Sequence, residues 1–445
     1  MNAGSPKLRC IFFPLFLLCL AFAVFRAAAQ PAPDTLPPQE DEMQLQGRSG
    51  KVLSFSSQSF LLLDEENHAR SFPLPEGEAK KIEVGCRVDL YYRENKGETE
   101  ILQMHISPLT PLDRVQQQMT ALSTEEKVGQ LILARCPEQG GTAWVEQLQL
   151  GGYILFDRDF REHSPEEVKA DISAYQQAAK IPLFIAVDEE GGLVTRASSY
   201  SAFRETPFAS PQKLYAQGGW EAIAADTREK CAFLLEIGIN LNLAPVADVS
   251  TDPDDFIYSR SFGQDGEQTA KYVSTVVKIM QEESLGSALK HFPGYGGNTD
   301  THEGAAYDQR PYAHFLEQDF LPFRAGIAAG ASMVMVSHNT ILCQDPQHPA
   351  SLSPEVLSVL RNELGYRGII ISDDLAMPAA ADWQGEQPPA VQAILAGCDM
   401  LCSSDFIGQY RQLLSAVEQG IISQERLNAS VERVLLAKYA LGLLE

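Results

Sequence analysis

The stretch Gly368-Ile369-Ile370-Ile371-Ser372-Asp373-Asp374 decides the fold of this chain. Its apolar residues follow one another without the polar alternation of a strand that has one solvent-exposed face. Such a run is typical of a parallel strand that is buried on both faces. The run stops at two aspartates, so the sequence predicts carboxylates just beyond the carboxyl end of this strand.

Seven other short apolar runs share this character. Helical stretches separate the runs, and one of them, Pro165–Ala179, has a typical start in Ser164 and Pro165. Eight strand–helix units in about 330 residues predict an α/β fold, a (β/α)8 TIM-type barrel. A doubly wound open sheet is the alternative, although the glycine fingerprint of a dinucleotide site is missing after the first run. The predicted strands are Leu131–Cys136, Gly152–Asp157, Pro182–Asp188, Ile239–Val246, Ala288–Phe292, Ser332–His338, Gly368–Asp374 and Asp399–Asp405.

Polar residues gather where these runs end. In a TIM-type barrel the carboxyl ends of the strands form the rim that carries the active site. Aspartate also favours helix caps and loops, so each residue taken alone has an ordinary structural explanation. Seven such residues on one rim favour a functional site there. They are Asp188, Asp248, Lys290, His291, His338, Asp373 and Asp405.

A glycine-rich stretch begins at the end of the fifth run and reads Lys290-His291-Phe292-Pro293-Gly294-Tyr295-Gly296-Gly297-Asn298-Thr299-Asp300-Thr301-His302. An imidazole held by a carboxylate two residues away can donate or accept a proton near neutral pH. Together with Asp373, the pair Asp300 and His302 predicts proton transfer and a carboxylate acting on one substrate. The structural alternatives are a surface histidine at 302 and a turn-forming aspartate at 300.

The region before the barrel is predicted to have three parts. Residues 1–29 are typical of a secretory signal, with basic residues before an apolar core and Ala27-Ala28-Ala29 at the cleavage site. The apolar core is shorter than the roughly 20 residues of a membrane span, so an uncleaved anchor is the weaker alternative. Residues 30–42 are a disordered Pro-rich linker, residues 43–107 a small all-β barrel-like domain, and residues 111–445 the barrel itself.

The chain is strongly acidic. The first 29 residues contain three basic residues and no acidic ones, so the remainder holds 32 basic and 59 acidic residues, a net charge of −27. We expect such a chain to repel nucleic acid and anionic membranes. Its cysteines form no CxxC pair and have no histidine at ligand spacing, so buried free thiols are expected, with one disulfide as the alternative. After residue 29 they are Cys86, Cys136, Cys231, Cys343, Cys398 and Cys402.

Five segments carry sequence signatures that occur in order along the chain. They are Val187–Gly192 with Arg196, Asn240–Val249, Arg260–Gly263, Lys290–His302, and Leu364–Gly368 with Ser372–Met377. Together they resemble glycoside hydrolase family 3, specifically its single-barrel β-N-acetylglucosaminidase subgroup. The resemblance runs from about residue 111 to residue 445, and the loop Lys290–His302 is its most specific part. Three features depart from the family pattern: Tyr295 stands in place of a histidine, the spacing from Lys290 to His302 is one residue shorter, and Leu193 replaces a common arginine.

By this resemblance, Asp373 is the nucleophile and His302 is the general acid/base, with Asp300 holding its imidazole. Retaining glycosidases ordinarily use two carboxyl groups. A histidine can replace one of them, because its pKa near 6.5 allows it to donate a proton in one half-reaction and accept one in the next. The residues that would bind the N-acetylglucosamine ring are Asp188, Arg196, Arg260, Lys290 and His291.

The predicted function is an exported, retaining β-N-acetylhexosaminidase that removes terminal non-reducing N-acetylglucosamine from peptidoglycan fragments or related glycans. We expect it to be secreted or extracytoplasmic, to need no cofactor and no metal, and to bind carbohydrate rather than nucleic acid or membrane, an uncleaved signal anchor aside. Two alternatives remain open. The first is a phosphorylase acting at the same site, because a neutral base would not repel phosphate. The second is a non-catalytic protein that binds wall sugars.

Overall fold

The computed structural model describes residues 45–95, 97–298, 301 and 304–444. The predictions for residues 1–29 and 30–42, and those for Asp300 and His302, lie outside these residues. The described residues form two compact units, which divide between Ile106 and Ser107.

The first unit is a five-stranded sheet with the order β3-β2-β1-β4-β5, in which β1 is antiparallel to both β2 and β4. Alternate residues such as Phe60 and Leu62 are buried, as expected for a sheet with one covered face. In the third strand, Ala69–Pro73, only Phe72 is buried. The strands are β1 (Gln46–Phe55), β2 (Ser59–Asp64), β3 (Ala69–Pro73), β4 (Arg87–Asn95) and β5 (Glu98–Ser107).

The second unit is a closed barrel of eight parallel strands, which confirms the TIM-type fold over the open sheet. Closure is made by β15 and β6, where Leu401 lies opposite Ile132 and Cys402 opposite Leu133. Each barrel strand lies at one of the eight predicted runs, and β11 pairs with β13 outside the barrel. The strands are β6 (Ile132–Arg135), β7 (Gly152–Leu155), β8 (Phe184–Val187), β9 (Leu241–Asn242), β10 (Gly286–Phe292), β11 (Tyr307–Asp308), β12 (Met333–Val336), β13 (Thr340–Ile341), β14 (Ile369–Ser372) and β15 (Met400–Ser403).

Helices alternate with these strands. Ser164 caps α5 as predicted, since its side chain accepts a hydrogen bond from the backbone N–H of Glu167. A π-helical segment, Phe315–Asp319, joins α8 to α9, and a second, Val359–Glu363, extends α10. The helices are α1 (Pro111–Thr120), α2 (Thr124–Gln130), α3 (Gly141–Leu148), α4 (Asp157–Phe160), α5 (Pro165–Ala178), α6 (Pro211–Glu236), α7 (Gly266–Glu282), α8 (Tyr312–His314), α9 (Phe320–Ala328), α10 (Pro354–Ser358), α11 (Pro378–Ala381), α12 (Pro389–Ala396), α13 (Phe406–Glu418) and α14 (Gln424–Ala440).

Two buried polar groups connect α14 to the barrel. The carboxylate of Asp399 accepts hydrogen bonds from Arg361 at 2.6 Å and Arg433 at 2.9 Å. The ammonium group of Lys438 donates to Oε1 of Gln130 at 2.7 Å. Burial lowers the pKa of Lys438 well below its ordinary value of 10.5, because the charged form has lost its water.

Two further sequence expectations concern cysteines and membranes. The six described cysteines are free thiols; five are buried as expected, whereas Cys343 is exposed. Within the described ranges, no helix has the length and apolar character that a membrane crossing requires.

Candidate active site

Asp373 directly follows β14, as the opening stretch of sequence predicted. Its backbone N–H donates to the carbonyl of Val336 at 2.9 Å, which continues the ladder between β12 and β14 beyond the strand. One carboxylate oxygen accepts the N–H of Asp374 at 2.8 Å. Because the backbone N–H groups of Asp373 and Asp374 are both hydrogen-bonded, the carboxylate of Asp373 has a fixed position.

The neighbouring Asp374 has a different task. Its Oδ1 accepts the backbone N–H groups of Ala376 at 3.0 Å and Ser404 at 3.1 Å. Its Oδ2 also accepts the hydroxyl of Ser404. These bonds join the loops that follow β14 and β15, so the second aspartate of the pair supports the rim.

A buried lysine in β10, two strands away from β14 in the barrel, holds a cluster of charges. Lys290 is 2% exposed, and its ammonium group lies 2.7 Å from Oδ1 of Asp188 and 2.6 Å from Oε1 of Glu190. The same Glu190 accepts two hydrogen bonds from Arg260, at 2.7 and 3.1 Å. The two cations therefore share one buried carboxylate, and Asp188 supplies a second negative charge.

The charges in this cluster stabilise one another. Burial alone would raise the pKa of Glu190, but Lys290 and Arg260 outweigh it and bring this pKa to about 2. Burial alone would lower the pKa of Lys290, but Asp188 and Glu190 outweigh it and raise this pKa above its ordinary value. All three charges of Glu190, Lys290 and Arg260 are thus maintained at neutral pH.

His291 is oriented by Asp248, a rim residue that the sequence pointed to without giving it a role. Oδ2 of Asp248 lies 2.8 Å from Nδ1 of His291 and also accepts the backbone N–H of His291 at 3.0 Å. Nε2 of His291 lies 3.5 Å from Nη2 of Arg260. Arginine can only donate, so we assign the proton to Nδ1 and the lone pair to Nε2.

Arg196 reaches the same region from the segment after β8. Its guanidinium lies 3.8 Å from Oδ2 of Asp188. Glu189 holds this segment in place, because its carboxylate accepts the backbone N–H groups of Arg196 at 3.1 Å and Ala197 at 3.0 Å. Of three consecutive acidic residues, Asp188 and Glu190 therefore face cations, and Glu189 shapes the loop.

The glycine-rich loop after β10 rests on a buried ionic cluster. Arg310 pairs with Asp308 at 2.7 Å and with Asp319 at 3.0 Å, and it donates to the carbonyl of Gly294 at 3.0 Å. Gly294 has a φ of 124°, and a Cβ there would lie 2.3 Å from Oδ1 of Asp319. Only glycine fits this close approach. Asn298 adds a hydrogen bond to Asp308 at 2.8 Å.

These elements surround one cleft at the carboxyl ends of the strands. Asp373 and all five residues that the resemblance assigns to sugar binding line this cleft. Asp300 and His302 are not among the residues that the structure describes. His338 is buried against Ser351 and does not line the cleft, and Asp405 caps α13, so both have structural roles. The charged residues that line the cleft are Asp188, Arg196, Arg260, Lys290, His291, Asp373 and Asp374.

Two acidic residues on the cation side of the cleft are already paired. Asp188 lies against Lys290, and Glu190, which does not line the cleft, lies against Lys290 and Arg260. The cluster of candidate metal ligands found among the described residues lies in the first unit, at Asp64, Glu66 and His68. Arg48 lies 3.1 Å from Asp64 there, so this cluster also carries its own cation.

Comparison with known proteins places this geometry in context. The family model described as "Glycosyl hydrolase family 3 N terminal domain" matches residues 123–437. A beta-hexosaminidase of Stenotrophomonas maltophilia (strain K279a) is 36% identical over 299 residues, which are 64% of this chain and 87% of that protein.

Solved structures agree with this match. A family 3 beta-N-acetylglucosaminidase from Paenibacillus sp. str. FPU-7 is similar with a TM-score of 0.67 and 32% identity, over 72% of this chain and 63% of that one. A beta-N-acetylhexosaminidase from Beutenbergia cavernae DSM 12333 is similar with a TM-score of 0.64 and 26% identity, over 72% and 99%.

Proposed function

Because this chain belongs to glycosyl hydrolase family 3 and is a glycoside hydrolase, we propose that it is an exported, retaining β-N-acetylhexosaminidase. Its substrates would be peptidoglycan fragments or related glycans that end in N-acetylglucosamine. The observation that carries the proposal is the convergence of Asp373 and five polar side chains, contributed by separate segments, in one cleft. The relatives named as hexosaminidases supply the sugar class.

The polar side chains suit a pyranose ring. Paired carboxylates and cations offer both acceptors and donors to sugar hydroxyls, and Asp188 keeps 16% of its side chain exposed between Lys290 and Arg196. The apolar side chains of Ile154 and Met335 also line the cleft. This combination of a few fixed polar groups with apolar lining residues is typical of small-ligand sites.

The proposed reaction has two steps. In the first, Asp373 attacks the anomeric carbon while His302 gives its proton to the departing glycosidic oxygen, which leaves a glycosyl ester on Asp373. In the second, neutral His302 takes a proton from water, the water oxygen attacks the anomeric carbon, and the Asp373 carboxylate is released. Asp300 would hold the imidazole and its positive charge.

Turnover of an aryl N-acetyl-β-glucosaminide by the purified full chain tests the proposal. Asp373→Asn is expected to lower kcat on the order of 10³-fold or more, since it removes the nucleophile. Asp405→Asn is the matched control, because this rim aspartate accepts the N–H of Gly408 and lies outside the cleft. Normal turnover by Asp373→Asn would refute the nucleophile assignment.

Two further measurements separate the finer parts of the proposal. Turnover with and without phosphate distinguishes hydrolysis from phosphorolysis, because a phosphorylase would release the sugar 1-phosphate. Sequencing the amino terminus of the protein recovered outside the cytoplasm tests export, and a start at Gln30 is expected. A full-length chain retained in the cytoplasm would contradict it.

A further inference from the structure

Tyr295 connects His291, which lines the cleft, to the far end of the glycine-rich loop. Its side chain is 2% exposed, and its hydroxyl lies 2.5 Å from Oγ1 of Thr301, which is itself fully buried. Buried hydroxyl groups need hydrogen-bond partners, so each of these two groups satisfies the other. The ring of Tyr295 meets the ring of His291 edge to face at 5.1 Å.

The backbone of Tyr295 is held as firmly as its ring. Its N–H donates to Oδ1 of Asp248 at 2.8 Å, and Oδ2 of the same carboxylate orients His291. One buried aspartate therefore fixes both a residue assigned to sugar binding and the residue that holds Thr301. The result is a continuous connection from Asp248 through Tyr295 to Thr301.

Two other contacts hold the loop at residues that precede Thr301. Arg310 holds the carbonyl of Gly294, and Asp308 holds Asn298. Thr301 comes after both and stands between Asp300 and His302 in the sequence. Because consecutive Cα atoms are 3.8 Å apart, fixing Thr301 restricts the positions that its two neighbours can take.

We propose that Tyr295 is a positioning residue for the general acid/base, acting through its hydrogen bond to Thr301. The inference rests on the proposed function, in which His302 donates the proton. A proton donor must lie within hydrogen-bond reach of the leaving oxygen, and a displacement of about 1 Å can cost about 10²-fold in rate. Loss of the Tyr295 hydroxyl releases Thr301 and impairs proton donation, while the nucleophile and the sugar-binding residues are left in place.

The test compares two aryl N-acetyl-β-glucosaminides. A dinitrophenyl group leaves without protonation, whereas a methoxyphenyl group needs the acid. For Tyr295→Phe we expect kcat/KM to fall about 10- to 100-fold on the methoxyphenyl substrate and to stay within about twofold on the dinitrophenyl substrate. Thr301→Val is expected to show the same selectivity. The double variant should add little, because both changes remove one interaction.

Tyr153→Phe is the matched control. Tyr153 is also fully buried, and its hydroxyl donates to the carbonyl of Gly141 at 2.8 Å. It lies outside the cleft, so we expect an unchanged ratio between the two substrates. An equal loss on both substrates for Tyr295→Phe, or no loss on either, would overturn the inference.

A His302→Ala variant in the same assay separates this inference from the proposed function. If His302→Ala retains full activity on the methoxyphenyl substrate, the proposed acid is wrong and the proposed function fails at that step. If His302→Ala shows the selective loss and Tyr295→Phe does not, the acid assignment stands and the role given to Tyr295 is refuted.

Discussion

Replacing Glu190 by Gln tests the charge cluster beneath the cleft. The change keeps the shape of the side chain but removes the one negative charge that Lys290 and Arg260 share, at 2.6 and 2.7 Å. A carboxyl whose pKa is about 2 instead of the ordinary 4.5 owes about 3 kcal/mol to its surroundings, at about 1.4 kcal/mol for each pH unit. Breaking a buried ion pair on one side costs about 3–5 kcal/mol, in agreement.

The expected result is a lower melting temperature for Glu190→Gln. For a barrel of this size, a loss of about 3 kcal/mol corresponds to a decrease on the order of 4 °C. The effect also depends on pH with a definite sign. The pKa of Glu190 is depressed in the folded state, so its contribution is complete above pH 4.5 and is lost as the pH falls toward 2. Calorimetry at neutral pH and below pH 4 measures both features.

A matched control uses an exposed ion pair. Glu138 lies 2.9 Å from Arg158, but its side chain is 77% exposed. Water already solvates this pair, so Glu138→Gln should change stability by less than about 0.5 kcal/mol. Equal melting temperatures for the Glu190→Gln and wild-type proteins, or equal decreases for both variants, would refute the account of the cluster.

Three other changes are expected to give measurable effects on stability. Lys438→Met should raise the melting temperature at pH 7, and the gain should shrink toward pH 10.5. The pKa of Lys438 is depressed in the folded state, so below pH 10.5 protonation of this lysine favours the unfolded state. Asp399→Asn should lower the free energy of unfolding in urea by about 3 kcal/mol or more, since Asp399 is fully buried and two half-buried arginines lose their carboxylate. Gly294→Ala should destabilise the barrel by at least about 1 kcal/mol in the same assay, because the φ of 124° and the close approach of Asp319 both oppose a Cβ. An unchanged melting temperature, urea midpoint or unfolding energy, respectively, would contradict each expectation.

The barrel could be predicted from the sequence because each strand carries its own signal. Ile369–Ser372 contains three consecutive isoleucines and is followed by Asp373, and even the two-residue strand Leu241–Asn242 lies within the longer predicted run Ile239–Val246. A strand that is buried on both faces needs such a run, and this requirement does not depend on the sequence elsewhere in the chain. The helix start at Ser164 is equally local, since a cap depends on residues three positions apart.

The partners of the polar side chains could not be predicted in the same way. Asp188, Glu189 and Glu190 are chemically similar neighbours, yet Glu189 binds backbone N–H groups and Glu190 binds two cations. That division depends on how the turn after β8 directs each side chain. Asp405 showed the converse: its place at a strand end suggested function, but it caps the next helix.

The pairing of β15 with β6 has a consequence for how the barrel forms. Leu401 and Ile132 lie opposite each other although they stand near opposite ends of the barrel sequence. Contacts of such long sequence separation form slowly, because the intervening chain must first be ordered. Until they form, both strands keep an unpaired apolar edge that another molecule can occupy. Refolding yield should therefore fall as protein concentration rises, since closure within one molecule competes with pairing between two.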